Sequence, residues 1–160
     1  MIKTNDLIWA AGLIDGEGCI SILRALIRPT KLNRRVVARY SYTLNLSVGM
    51  VHRPTIERLQ MLFGGYIRFR TTKQLNCRTS WEWSIRGQQA KEVLEKITPY
   101  LFTKKDEAVL GLEFGNRVMN KGGRFSAIPD NFHDIRADLY TRIKDAKHIE
   151  YFPDDTFRGK

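Results

Sequence analysis

The 160-residue chain has no apolar run near the about 18 residues that a membrane-crossing helix requires. Its first residues, Met1-Ile2-Lys3-Thr4-Asn5-Asp6, lack the apolar stretch of a secretion signal. These absences predict an intracellular protein with no membrane partner, in cytoplasm, nucleoid or organelle. Cysteine is scarce: Cys19 and Cys77 could form one disulfide, but no Cys-x-x-Cys pair or closely spaced Cys/His set is present, so free thiols are expected. The chain also has no His-Asn-His arrangement, no recognisable Ser/His/Asp set and no phosphate-cradling Gly-x-x-x-x-Gly-Lys loop. What remains is one domain with an ordinary apolar content of 42%, enough for a sizeable core.

Acidic side chains are scarce in a particular place. Between Glu17 and Glu82 the one acid is Glu57, whereas Arg24, Arg28, Lys31, Arg34, Arg35, Arg39, Arg53, Arg58, Arg68, Arg70, Lys73 and Arg78 all fall inside that interval. The formal net charge is +10. A charge kept for solubility usually mixes both signs over a surface, so a stretch of one sign this long points to a polyanionic partner, nucleic acid first.

Hydrophobic periodicity predicts strands from Cys19 to about Arg28 and from Val36 to Val48. In the second, Tyr40, Tyr42, Leu44, Leu46 and Val48 alternate with Arg39, Ser41, Thr43, Asn45 and Ser47. A solvated sheet face more often carries Lys and Glu, whereas a row of short hydroxyls and amides suits the edges of bases. Ser21 belongs to the same reading. A second strand pair, Gly65 to about Thr72 and Ser80 to Arg86, places Arg68 and Arg70 opposite the apolar side, open to a guanine edge or to a phosphate.

Helices separate the pairs. Pro54 to Phe63 carries an apolar stripe stopped by Gly64, and Gln88 to Ile97 repeats the pattern before Pro99. Thr103-Lys104-Lys105-Asp106 resembles a capping box that opens a helix to about Met119, and a last helix is expected from Asp130 to about Lys147. With the N-terminal segment counted as a helix, the core order is α-β-β-α-β-β-α-α, and the last helix follows it.

Ahead of all this stands Ala10-Ala11-Gly12-Leu13-Ile14-Asp15-Gly16-Glu17-Gly18, a small-residue helix face joined to an acidic turn. Together with Pro99-Tyr100-Leu101-Phe102-Thr103-Lys104-Lys105-Asp106-Glu107-Ala108, and with two strand pairs between them, it resembles the single-motif LAGLIDADG homing endonucleases over about residues 1–115. The resemblance implies an α/β fold of the α+β type, in which a curved four-stranded antiparallel sheet lies in the DNA major groove, backed by helices. One domain over 1–160 is expected, with a core of about 5–119 and a C-terminal helical extension of about 125–160.

The implied activity is a metal-dependent double-strand break in a long pseudo-palindromic DNA site. One motif per chain implies a second copy as partner. Ala10, Ala11 and Gly12 would form the close-packed dimer face, with Asp15 capping a helix across it. Glu17, with the Gly16 carbonyl, would hold Mg²⁺ or another divalent cation. A glutamate in a Gly-Glu-Gly turn is otherwise an ordinary solvated loop residue.

Lys104 matches the family's basic catalytic residue, with Lys105 as the competing position. Relatives carry a glutamine and an arginine after the second strand, where this chain has Gly49-Met50-Val51-His52-Arg53, so Arg53 or His52 would have to serve. Ser21, Arg24, Arg28, Arg39, Ser41, Thr43, Asn45, Ser47, Arg68, Arg70 and Lys73 are the expected DNA contacts. Two other roles exist in the resembled family: an RNA maturase that binds intron RNA, and a DNA-binding regulator that no longer cuts. Retention of Glu17 and Lys104 favours a cutting enzyme over a pure binder.

Overall fold

The computed structural model describes residues 2–28, 39–71, 79–119 and 131–147. Helix α1, Thr4–Glu17, runs straight into strand β1, Gly18–Ile27. Strand β2, Arg39–Met50, leads through helix α2, Arg53–Phe63, to strands β3, Tyr66–Arg70, and β4, Ser80–Arg86. Helix α3, Gly87–Ile97, a 3₁₀ turn at Thr98–Tyr100, helix α4, Lys105–Phe114, a π-helical turn at Gly115–Met119 and helix α5, Asn131–Asp145, complete the order. None of the described helices is long and apolar enough to cross a membrane.

The four strands form one antiparallel sheet in the order β1-β2-β4-β3, so β1 and β3 are its edges. Register fixes the two faces. Ile22 opposite Leu44, Leu46 opposite Ile85 and Ile67 opposite Trp83 share the side covered by the helices. There Ile14, Ile20, Leu44, Leu46, Ile56, Leu59, Trp83, Ile85, Leu94, Ile97, Phe114 and Leu139 are fully buried, which removes the centre of the apolar side from water, while Leu26 and Tyr40 toward the far end of β1 and β2 stay exposed. Serines, Thr43, Asn45 and several arginines line the other side.

Several boundaries differ from the sequence reading for identifiable reasons. Helix α1 does not stop at Ile14 before a turn: the Gly18 N–H donates to the Ile14 carbonyl, closing one more turn that carries Asp15, Gly16 and Glu17. A Cβ on Gly18 would lie 2.6 Å from that carbonyl oxygen, so glycine is what allows the helix to pass directly into a strand. Strand β2 extends past Val48 because Gly49 and Met50 pair with Glu82 and Trp81. Strand β3 starts at Tyr66, not Gly65, whose φ of +91° leaves the extended region. The stretch from Val36 to Ala38 and Thr72 lie outside the described residues.

The capping box at Thr103 does not form. Lys104 is the N-cap of α4 and makes no side-chain cap, because the Thr103 hydroxyl donates instead to the Asp15 carbonyl at 3.2 Å. The expected single helix to Met119 changes to a π turn after Phe114.

Candidate nuclease site

The site begins with the way α1 distributes its small residues. Ala10, Ala11 and Ile14 have no exposed surface and pack inside their own chain. This corrects the expected dimer face, because helical spacing turns Ala10 and Ala11 toward the sheet and α3. The outward side of the same helix carries Ile8, 49% exposed, together with Gly12 and Gly16, which both face open space. Of the three small residues expected at an interface, Gly12 alone faces outward. Ile8 and Gly16 could have been found by following the i, i+4, i+8 period from Gly12 instead of the run of adjacent small residues.

Asp15 is the second correction. Its carboxylate accepts the Phe102 N–H at 2.7 Å and the Lys104 N–H at 2.9 Å, so it caps the entry to α4 of its own chain, not a helix across an interface. Burial alone would raise its pKa. Those backbone hydrogen bonds, the Thr103 hydroxyl and the Lys104 charge outweigh burial and hold the carboxyl below the usual carboxylate range. The Lys104 ammonium donates to the Asp15 carbonyl, so the basic residue expected at the catalytic centre reaches the carboxyl end of α1.

Glu17 is exposed on the last turn of α1, beside Gly16. A helix C-terminus concentrates carbonyl oxygens and partial negative charge, which favours a cation there. The donors available are therefore a carboxylate and backbone carbonyls, a hard oxygen set of the kind that Mg²⁺ or Ca²⁺ takes, with the remaining positions left to water and phosphate oxygens. Among the described residues no cluster of three or more His, Cys, Asp or Glu side chains exists.

Arg53 is turned elsewhere. Its guanidinium pairs with Glu57 at 2.7 Å and lies 4.6 Å from the centre of the Trp81 ring, on the helix-covered side of the sheet. His52 hydrogen-bonds Thr55 across the first turn of α2 at 2.7 Å, the geometry of a helix-start residue. Lys105 opens α4 and is exposed, and His133 lies on α5.

On the polar face of the sheet, register places Ser21, Arg39, Ser41, Thr43, Asn45, Ser47, Arg68 and Arg70 together, as expected. Arg24 is not among them. Its position alternates to the helix side, where its guanidinium lies 4.7 Å from the Tyr40 ring and 4.9 Å from the Tyr140 ring. Arg28 follows the end of β1 and is exposed, while Lys73 lies outside the described residues.

Two residues on this face escaped the sequence reading. Glu82 accepts from Arg68 at 2.9 Å and from Arg70 at 2.8 Å, so neither guanidinium is free as expected. Arg86 donates to Asn45 at 3.4 Å and, with Tyr66, Arg68, Glu82 and Ser84, lines a trough of about 340 Å³. The alternation of Glu82 and Arg86 with Trp81 and Ile85 carried the signal for both.

A model of the LAGLIDADG endonuclease domain matches residues 10–111, more than half of the chain. The chain belongs to the LAGLIDADG endonuclease family. Family membership carries the class of chemistry with it: the protein is an endodeoxyribonuclease. Its fold is that of solved LAGLIDADG homing endonucleases. It resembles I-CvuI, solved with the I-CreI target and Mg, at 18% identity over 92% of this chain and 99% of that one, with a TM-score of 0.57.

The archaeal intron-encoded I-Vdi141I, solved with DNA, gives 19% identity, 92% and 87% coverage and a TM-score of 0.64. I-SmaMI, bound to cleaved DNA, gives 15% identity and a TM-score of 0.63, with 92% of this chain covering 47% of that one. No curated protein sequence matches the chain. The LAGLIDADG match runs from the middle of α1 through most of α4 and therefore includes both Glu17 and Lys104.

Proposed function

We propose that the chain is a site-specific homing endonuclease that works as a homodimer and makes a divalent-metal-dependent double-strand break in a long, pseudo-palindromic DNA site. The observation that carries this reading is the geometry of α1. Its Gly12 and Gly16 side is open to a second helix, and the same helix ends in exposed Glu17. A single motif gives one such carboxylate per chain, so two cuts require two chains.

This chain covers nearly all of I-CvuI and about half of I-SmaMI. The polar face, rich in hydroxyls, amides and arginines, faces away from the helices and supplies donors and acceptors for base edges in a major groove. A two-fold pair of such sheets asks for a two-fold site about two DNA turns long.

In this reading Glu17 and the Gly16 carbonyl hold Mg²⁺ or a similar cation, which when bound supplies charge neutralisation at the phosphate and a more acidic water. Lys104, fixed against the Asp15 carbonyl, provides positive charge beside it. Asp15 keeps the two segments together.

The test is a duplex library with randomised sites, incubated with wild type or Glu17→Gln in Mg²⁺ or in EDTA. Wild type should cut a small set of sites in Mg²⁺ alone, and Glu17→Gln should bind the same sites without cutting. Cutting by Glu17→Gln would remove Glu17 from the metal site. Tight duplex binding by wild type without any cutting would favour the DNA-binding regulator, and preference for structured intron RNA over every duplex would favour the maturase.

A further inference from the structure

With Arg53 facing Glu57 and Trp81, Lys104 is the basic side chain that the described residues bring to the carboxyl end of α1. A second comes from the opposite end of the chain. Just past the end of α5, Lys147 projects onto the start of β1, its ammonium 3.3 Å from the exposed Cys19 sulfur. Between β1, the start of α4 and the end of α5 lies a cleft of about 260 Å³, lined by Gly18, Cys19, Thr103, Lys104, Glu107 and Lys147 among others. Gly18 is bonded directly to Glu17, so the cleft lies next to the proposed metal site.

Its chemistry favours an anion. Two ammonium groups and one carboxylate, that of the buried Glu107 in the first turn of α4, line it, while the Asp15 carboxylate that also feels the Lys104 charge is taken up by backbone N–H groups outside the lining. Neither Lys104 nor Lys147 makes an ion pair among the described residues. The cleft is also lined by the start of β1, which is an edge strand of the sheet among the described residues.

We propose that Lys147 and Lys104 together form a phosphate-binding cleft, and that it receives a backbone phosphate of the DNA strand cut at the adjoining Glu17. This rests on the endonuclease reading and adds to it a residue from the C-terminal helix. A long, flexible lysine suits a phosphate as a point charge, without base discrimination.

The test uses the full chain and a duplex that wild type selects from the randomised library. Affinity is measured by fluorescence anisotropy in EDTA over a series of salt concentrations, and cutting by single-turnover assay in Mg²⁺. Lys147→Met should reduce the slope of log affinity against log salt by about 1.8, the share of two phosphate contacts, one from each subunit of the proposed homodimer. It should slow cutting about tenfold or more, while Lys147→Arg keeps the wild-type slope. Bound duplex should also slow alkylation of Cys19 by iodoacetamide, read by mass spectrometry, in the absence of metal.

A Lys147→Met protein with the wild-type salt slope and cutting rate would overturn the cleft and leave the endonuclease reading standing. So would one that melts at a lower temperature with the salt slope intact, since Lys147 would then be a packing residue. Failure of wild type to bind or cut any duplex would overturn both.

Discussion

At the carboxyl end of α1, Asp15 takes two backbone N–H groups into its carboxylate, and Lys104 closes on the Asp15 carbonyl. On the polar face of the sheet, Arg68 and Arg70 share the Glu82 carboxylate while their side chains remain 68% and 55% exposed. The first arrangement is tied to the main chain and sets distances between segments 87 to 89 residues apart in sequence. The second joins flexible side chains to one another, and exposed ion pairs of this kind contribute about 0–1 kcal/mol each. The corner is therefore a fixed frame for chemistry, and the face is a set of exchangeable pairs that base edges and phosphates can replace.

The sharpest way to separate the two regions is Glu17→Gln. Cutting should fall by about a hundredfold or more, as expected when a charge-stabilising element of a transition state is lost, with DNA affinity in EDTA nearly unchanged. A gel-shift titration beside a cleavage time course measures both, and a parallel loss of affinity would mean that the corner also recognises sequence.

Next in size is Ala11→Leu. Ala11 is fully buried within the chain, so overpacking there should cost about 1–3 kcal/mol in urea unfolding. A neutral result would return Ala11 to the surface where the sequence reading placed it.

Asp15→Ala should cost about 1 kcal/mol by removing the cap on α4. The same carboxylate gives the frame a pH dependence. Its folded pKa is depressed, so its contribution is fully present above the unfolded value of about 3.9 and is lost as pH falls through the lower folded value. Wild type should therefore lose more stability than Asp15→Ala on acidification below about pH 4, and equal losses would mean the hydrogen bonds are not formed in solution.

The smallest expected effect on stability is that of Glu82→Gln, under about 1 kcal/mol. Its consequence belongs to recognition: with Arg68 and Arg70 released, affinity for random duplex should rise and discrimination among sites should fall. An unchanged ratio of specific to random binding would mean that Glu82 does not position them.

Much of this fold was legible in the sequence, because period-two alternation in β2 and β4 and the stripes of α2 and α3 are properties of neighbouring residues. The polar face followed from the same alternation, and it identified Ser41, Thr43, Asn45 and Ser47 together. Arg24 is not among the polar-face residues that its charge suggests: alternation in β1 turns it to the helix side, where two tyrosine rings hold it. Asp15 and Lys104 were legible through their motifs, but their contact with each other and the reach of Lys147 onto β1 join distant segments, for which no local pattern exists. Thr103 shows the cost of reading locally, since its hydroxyl serves Asp15 instead of its own helix.

Helix α1 packs Ala10, Ala11 and Ile14 on its inward side and leaves Gly12 and Gly16 open on its outward side. Sedimentation of wild type and Gly12→Leu, each followed by a cutting assay on a selected site, tests that division most directly. Wild type should sediment as two chains and cut both strands, and Gly12→Leu should be folded, single and unable to make the double-strand break. A wild-type protein that cuts both strands as one chain, or a Gly12→Leu protein that still pairs and cuts, would contradict it.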